Sequence, residues 1–411
     1  MNDLELFPYP KNRLQTTDLD LAASLQGVVE NEVMQKRLEL KEDYEQLLRP
    51  SLGKLMVEIG LQKMFWPEKL GGDEHNGSNA SYTIVAALEQ IGRADTGLAF
   101  QAAHSLALQA ALASEASYHE EQCTAMAPLF CESNLPLVVS FVFPVFAEEE
   151  GVPEWRGKGL QVMAEKGPYK WTLNGKRVRP TCSGADADLF GVWCAVEGEK
   201  EPAFILVPGE TSGLSRGKEF LKTGLAASRN ADIDFTAVEV PAANCAWRGD
   251  EGIYRLLSWY YLGLAATASG ALLATYEMIK EWGDNRVIKG RGHIFKENPL
   301  TGALMGEIAK DIAVDRLLTY NLAEILAEPE AYGDAGSQAV FTSALMIVHQ
   351  VYVAAENTIH RTMELMASAG YAKEWQLERY WRDIKTVQCY LGAYELAKHD
   401  FARWFYGAKT L

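Results

Sequence analysis

The order of residue patterns along the 411 residues predicts an α+β chain with several domains. Apolar residues recur with helical spacing up to about residue 134. Short runs of β-type residues, separated by turn signals, follow to about residue 248, and long apolar helical patterns fill the remainder. We therefore expect an N-terminal helical domain over 1–134, a central antiparallel β-sandwich or barrel over 135–248, and a C-terminal four-helix bundle over 249–411.

The N-terminal part is predicted to be helical from about residue 16, where leucine and valine recur every three or four residues. Pro50 is expected to break this pattern. From Thr96 to about Ser114 the chain is almost uniformly apolar, which predicts a helix that is buried on all sides. Two polar residues, Gln101 and His104, interrupt the apolar pattern of this helix. His104 is the titratable residue in this stretch, and the ordinary pKa of histidine is near neutrality.

The central part consists of short runs rich in valine, phenylalanine and threonine, beginning near Leu135. Asn-Gly, Pro-Gly and Ser-Gly pairs separate these runs, and such pairs mark turns between neighbouring strands. The pattern is typical of an antiparallel sandwich or barrel.

Helical patterns return at Gly252 and are expected at about 252–282, 302–327, 337–369 and 376–406. These helices are long and largely apolar, which is typical of a bundle that also packs against another subunit. We therefore expect the C-terminal helices to form a homo- or hetero-oligomer.

The composition argues against several classes of function. A net charge of −16 argues against a nucleic-acid partner, because binding phosphates along a backbone needs an excess of lysine and arginine. We expect no membrane span, because no run reaches about 18 uncharged apolar residues. The first residues lack the basic and apolar regions of a secretory signal, so we expect a cytoplasmic protein. The six cysteines and seven histidines are dispersed, which predicts reduced thiols and no metal site.

Four motifs in sequence order resemble the acyl-CoA dehydrogenase family. They are Pro67-Glu68 with Gly71-Gly72, residues 185–190 (ADADLF) after Asn174-Gly175-Lys176, residues 235–244 (FTAVEVPAAN), and Gly370-Tyr371 followed by Glu378-Arg379 and Arg382-Asp383. The resemblance covers nearly the whole chain. It implies FAD between the β-domain and the bundle, an acyl-CoA substrate, and a carboxylate that removes the α-proton. If the chain is redox-active, it also implies electron-transfer flavoprotein as a partner.

The family's two usual positions for this carboxylate are not acidic here. Alignment on the family motifs places one at Leu391 and the other at Tyr260, with Tyr261 where an arginine is common. Leucine cannot accept a proton, and a tyrosine with an ordinary pKa of about 10 is a poor base at neutral pH. His104 is our candidate for a replacement acid or base, and a structural histidine is the alternative.

Several positions that serve the flavin in the family are also altered. Val142 stands in place of a threonine, Arg179 in place of a tryptophan, and Glu364 in place of a glutamine. A carboxylate at Glu364 would repel a pyrophosphate unless a cation intervenes.

The resemblance still implies a set of site residues. It assigns cofactor contacts to Thr181, Arg286 and Gly370, and the acyl pocket to Gln101, His104, Tyr260 and Tyr261. Each of the three cofactor residues also has a simpler interpretation. Thr181 would be an ordinary strand residue, Arg286 a cation at a helix C-terminus, and Gly370 a helix cap.

Three functions follow from these observations. The chain is a flavoenzyme that acts on the acyl chain of a CoA thioester with modified chemistry, or a non-catalytic subunit of a heteromeric acyl-CoA dehydrogenase, or a flavin-free scaffold of the same fold. In the second case, a partner chain would carry the carboxylate and most of the flavin contacts.

Overall fold

The computed structural model describes residues 6–35, 44–75, 79–113, 120–145, 152–288, 290, 292–390 and 394–408. Helices come first, then strands, then helices again, as the sequence predicts. The proposed domain boundaries stay predictions.

The N-terminal helices are α1 (Thr16–Val29), α2 (Tyr44–Gly53), α3 (Ala80–Ala94), α4 (Thr96–Ala113) and α5 (Glu120–Cys131). Every residue of α4 is buried, which confirms the prediction of a helix enclosed on all sides. The prediction that Pro50 breaks the helix is wrong, because Pro50 lies inside α2. A π-helical turn at Lys54–Glu58 follows, and such wider turns accommodate local disruption of the hydrogen-bond ladder.

The central part is a mixed sheet. Its strands are β1 (Val139–Val142), β2 (Glu154–Trp155), β3 (Lys158–Gly159), β4 (Met163–Lys166), β5 (Lys170–Val178), β6 (Leu189–Val196), β7 (Ala203–Pro208), β8 (Leu214–Arg216), β9 (Ile233–Pro241) and β10 (Cys245–Arg248). The main order is β10-β7-β6-β4-β5-β9-β8, and β2 and β3 form a separate hairpin. Most pairings are antiparallel as expected, but β1 and β4 both run parallel to β6.

The C-terminal helices are α6 (Asp250–Asn285), α7 (Pro299–Ala327), α8 (Pro329–Tyr332), α9 (Gln338–Met366), α10 (Leu377–Tyr390) and α11 (Tyr394–Tyr406). Asn298 caps α7 by accepting hydrogen bonds from two backbone N–H groups of its first turn, and Ser337 caps α9 in the same way with one. The fourth predicted helix, 376–406, contains α10 and α11, and residues 391–393 lie outside the described residues.

Helix α6 runs through the middle of the protein and packs against α3, α4, α7 and α9. Its backbone approaches α3 so closely that a side chain at Gly270 would collide with the carbonyl oxygen of Glu89. By length and composition, α6 and the segment Gln338–Tyr371 are apolar enough to cross a membrane. The apolar window of α6 is buried entirely within the protein, whereas only half of the window in Gln338–Tyr371 is buried. Internal packing therefore accounts for the apolar character of α6, and the absence of a membrane span stays a prediction.

Candidate functional site

His104 on α4 is the centre of a buried polar cluster. Its Nδ1 lies 2.7 Å from the carbonyl oxygen of Phe100, and its Nε2 lies 2.8 Å from Thr181 Oγ1 and 3.1 Å from Tyr260 Oη. A carbonyl oxygen only accepts hydrogen bonds, so Nδ1 carries the proton and Nε2 of the neutral ring is the acceptor. The single lone pair of Nε2 therefore faces both hydroxyls and accepts its hydrogen bond from the nearer one, that of Thr181.

The cluster joins the three parts of the fold, because His104 belongs to the N-terminal helices, Thr181 to the turn before β6, and Tyr260 to α6. Thr181 Oγ1 also accepts the backbone N–H of Phe141 at 3.1 Å. All three polar side chains are buried. The structure thus brings together three residues that the sequence singled out separately, although Thr181 and Tyr260 lie 77 and 156 residues from His104.

Aromatic rings fill the space around this cluster. The ring of Phe141 lies 5.0 Å from that of His104 and 5.6 Å from that of Tyr260, and the ring of Phe143 lies 5.8 Å from that of Tyr260. Tyr261 continues the aromatic series at 6.3 Å from Tyr260, and burial raises the pKa of its phenol. Tyr261 is therefore not placed to act as a base at neutral pH.

The other two positions that the sequence analysis assigned to the substrate or the base are Gln101 and Leu391. Gln101 is buried and donates its side-chain amide to the carbonyl oxygen of Ala227, so it ties α4 to the loop before β9. Leu391 lies outside the described residues. The roles of Gln101, His104, Tyr260 and Tyr261 in substrate binding stay predictions.

The three cofactor residues have structural partners in the described part of the chain. Thr181 belongs to the histidine cluster. The guanidinium of Arg286 lies at the end of α6 over the ring of Trp282, 5.2 Å from its centroid. Gly370 packs so closely on Met363 that a side chain there would collide with the Met363 backbone. Arg286 matches its simpler interpretation as a cation at a helix C-terminus. Thr181 lies outside the strands, and Ala367 rather than Gly370 caps α9. The cofactor roles stay predictions.

The altered flavin positions also have other partners. Arg179 is exposed and forms a bidentate ion pair with Asp232 at 2.8 and 3.2 Å. Glu364 is exposed on α9, 3.7 Å from His360. Val142 is buried within β1.

These observations test whether an isoalloxazine ring fits beside Thr181. The Thr181 hydroxyl has its proton directed at His104 and one lone pair occupied by the Phe141 N–H, so it has no proton to donate to a flavin nitrogen. The rings of Phe141 and Tyr260 pack against that of His104, with centroids 5.0 and 4.8 Å apart. In this arrangement, the Thr181 hydroxyl does not fit the role of a hydrogen-bond donor to a flavin.

The structure also reveals a buried ion-pair network that the sequence analysis missed. Arg379 on α10 pairs with Asp95 at the start of α4 and lies 3.9 Å from Asp383, which accepts the backbone N–H of Leu225 at 2.5 Å. Asp95 also accepts the N–H of Leu98 at 2.7 Å. The signal was present, because Arg379 and Asp383 belong to a motif already noted. The network ties α10 to the start of α4 and to the loop that contains Leu225.

The described residues show no group of three histidine, cysteine, aspartate or glutamate side chains that could hold a metal ion. The six cysteines are all free thiols.

Burial makes His104 a source of pH-dependent stability. It lowers the pKa of His104 from 6.5 to about 4, only partly offset by the hydrogen bond to Phe100. Between these values the unfolded chain binds a proton that the folded chain does not, so stability is lost as the pH falls from about 6.5 to 4. A shift of this size corresponds to about 3 kcal/mol.

We expect this pH dependence to disappear from the variant His104→Gln. Urea unfolding at pH 4.5, 5.5 and 7 would measure it, with the exposed His360→Gln as the matched control that keeps the wild-type slope. Equal slopes for wild type and His104→Gln would contradict the assignment of the effect to His104.

Comparison with known proteins connects this fold to one family. Residues 253–406 match the family profile described as acyl-CoA dehydrogenase, C-terminal domain. The chain is 27% identical to the mitochondrial short-chain specific acyl-CoA dehydrogenase of Rattus norvegicus over 369 residues, which cover 87% of this chain and 82% of the relative.

Two solved structures share the whole fold. The butyryl-CoA dehydrogenase of Megasphaera elsdenii superposes with a TM-score of 0.74 at 20% identity, over 94% of this chain and 97% of the other. A glutaryl-CoA dehydrogenase of Mycobacterium smegmatis in complex with FADH2 superposes with a TM-score of 0.75 at 18% identity, over 97% and 96%.

Proposed function

Because this chain belongs to the acyl-CoA dehydrogenase family, we propose that it takes part in the oxidation of acyl-CoA thioesters as a non-catalytic subunit of a hetero-oligomer. Its partner in this proposal is a second chain of the same family, which carries the catalytic carboxylate and most of the flavin contacts. The proposal draws on the substrates in the names of the similar enzymes, which act on short-chain acyl-CoA, butyryl-CoA and glutaryl-CoA.

The observation that carries the proposal is the closed cluster around His104. Thr181 directs its hydroxyl proton at His104, and the rings of Phe141 and Tyr260 pack against the imidazole. A general base must come within about 3 Å of the proton that it removes. The two usual base positions carry Leu391 and Tyr260, so neither position offers a carboxylate for this step.

The outer face of the bundle supports an assembled state. Val314 and Leu317 on α7 are 47% and 50% exposed, and Trp404 and Phe405 on α11 are 41% and 57% exposed. Only half of the apolar window in Gln338–Tyr371 is buried. Exposed apolar surface of this kind is usually covered in a complex, and a chain of the same fold is a suitable partner.

A second candidate is an acyl-CoA flavoenzyme with modified chemistry, which would pass its electrons to electron-transfer flavoprotein. The observation that favours it is the polar pair His104–Tyr260, in which the unprotonated imidazole nitrogen lies 3.1 Å from the phenol oxygen. Such a pair can move a proton if substrate reaches it. The lowered pKa of His104 makes this nitrogen a weak base, which is why we rank this function second.

Two purifications test the proposal. We expect the chain expressed alone to lack the visible absorbance of flavin and to show no acyl-CoA-dependent reduction of an electron acceptor. We expect a tagged chain isolated from its native cells to carry a second family member, identified by native mass spectrometry, together with FAD.

The variant Leu391→Glu serves as the control. We expect it to remain inactive when expressed alone, because a restored carboxylate leaves the flavin positions at Val142, Arg179 and Glu364 altered. Stoichiometric flavin and turnover in the wild-type chain alone would establish the second candidate. A single-chain assembly without flavin from native cells would exclude both candidates.

A further inference from the structure

A cleft of about 330 Å³ lies on the β-domain at the edge formed by β5, β8 and β9, and none of its residues belongs to the histidine cluster. Its polar lining residues are Arg177, Ser215, Arg216, Lys218, Asp232 and Asp234. Three cations in one cleft are unexpected in a chain with a net charge of −16. The question is whether the two aspartates neutralise them.

Both aspartates are hydrogen-bonded to groups other than the three lining cation side chains, and the charge of Arg177 also acts on Asp234. Asp232 accepts two hydrogen bonds from the guanidinium of Arg179, at 2.8 and 3.2 Å. Asp234 accepts the backbone N–H of Arg177 at 2.7 Å and lies 3.5 Å from Lys176 Nζ. Each carboxylate already has a cationic partner outside the lining. The two carboxylates therefore neutralise only part of the positive potential that the lining cations produce.

Arg216 is the rigid member of the three cations. One terminal nitrogen of its guanidinium donates to the carbonyl oxygens of Ala187 and Gly209, at 2.8 and 3.1 Å. Its Nε is buried and has no hydrogen-bond partner among the described residues. The other terminal nitrogen lies 3.5 Å from Glu210, whose side chain is 96% exposed, so this pair is strongly screened by solvent.

Arg177 and Lys218 are exposed, and their side chains make no hydrogen bond or ion pair with any residue in the described ranges. The backbone of Arg177 adopts a φ of 50°, a left-handed conformation that non-glycine residues rarely take. It lies where the β5–β9 register is irregular between Gly175 and Val178. Backbone strain of this kind is common at binding sites, where it positions a side chain.

We propose that this cleft binds the phosphate group of a small molecule. Arg216 supplies a fixed guanidinium, Arg177 and Lys218 supply two further cations, and the Ser215 hydroxyl supplies a neutral donor. A phosphate group carries up to two negative charges on several acceptor oxygens, which suits several donors better than a single carboxylate does. This inference goes beyond the proposed function and does not depend on it.

Isothermal titration of the full chain with inorganic phosphate, adenosine monophosphate and adenosine tests the proposal. We expect both phosphate-containing probes to bind, adenosine not to bind, and added NaCl to weaken the binding. Tighter binding of adenosine monophosphate would identify a phosphate monoester as the ligand, and equal binding would identify free phosphate. Absence of binding by both phosphate probes would overturn the proposal.

Two variants separate the site from the fold. Arg177→Gly removes the guanidinium and also suits the left-handed backbone, so we expect a protein at least as stable as the wild type. Combined with Lys218→Ala, it should weaken phosphate binding at least tenfold. Lys166→Ala, which removes an exposed cation from β4, is the matched control with unchanged affinity. Unchanged affinity in the double variant would also overturn the proposal.

Discussion

Replacing Arg316 by methionine is expected to lower the free energy of unfolding by about 3–5 kcal/mol, because it leaves a buried carboxylate without its cation. Arg316 on α7 donates to Glu89 on α3 through Nε at 2.9 Å and a terminal nitrogen at 2.8 Å. Glu89 is 2% exposed and also accepts the hydroxyl of Ser269 on α6 at 2.6 Å. The ion pair therefore joins three helices where water cannot replace a lost partner.

Chemical denaturation of wild type and variant would measure this loss. The double variant Glu89→Leu/Arg316→Met should recover most of it, since removing both charges leaves no unpaired ion. The surface pair of Arg361 and Glu307, 2.8 Å apart and about two-fifths exposed, provides the control. We expect Arg361→Met to change stability much less than Arg316→Met does, because solvent screens an exposed pair. If Arg316→Met changed stability as little as Arg361→Met does, burial would not explain the importance of the Arg316–Glu89 pair.

Replacing Asp315 by asparagine is expected to change the free energy of unfolding more favourably at pH 8 than at pH 4. Asp315 on α7 is 1% exposed, and its Oδ2 has no hydrogen-bond partner in the described part of the chain. Burial, and secondarily the charge of Asp311, raises the pKa of Asp315 from 3.8 to about 8. The folded chain therefore holds a proton that the unfolded chain releases, and stability is lost as the pH rises from 3.8 toward 8.

The asparagine variant has no proton to release, so its stability should not fall through this titration. The difference between variant and wild type should grow from pH 4 to pH 8 by several kcal/mol, with about 5 kcal/mol as the upper value. Urea unfolding at pH 4, 6 and 8 measures it. Asp311→Asn, at a more exposed position on the same helix, should show a much smaller change. Parallel pH profiles for wild type and Asp315→Asn would show that Asp315 titrates normally.

Much of the architecture follows from local patterns in the sequence. Helical and β-type spacing are properties of neighbouring residues, so the helix–sheet–helix order and the burial of α4 could be predicted. The parallel pairing of β1 and β4 with β6 could not, because strand partners are chosen by packing between distant segments. Pro50 was misread for a related reason, since tertiary packing can hold a helix through a residue that disfavours it.

The candidate site divides in the same way. Leu391 cannot serve as a base in any fold, because leucine has no group that accepts a proton, so residue identity alone excludes the usual chemistry at that position. His104, Thr181 and Tyr260 were each recognisable in the sequence, but not their convergence on one imidazole nitrogen. Which hydroxyl donates, which nitrogen accepts and how far burial shifts a pKa depend on distances between segments that are far apart in the chain. Only the three-dimensional packing sets those distances, and so it brings the Thr181 hydroxyl to His104.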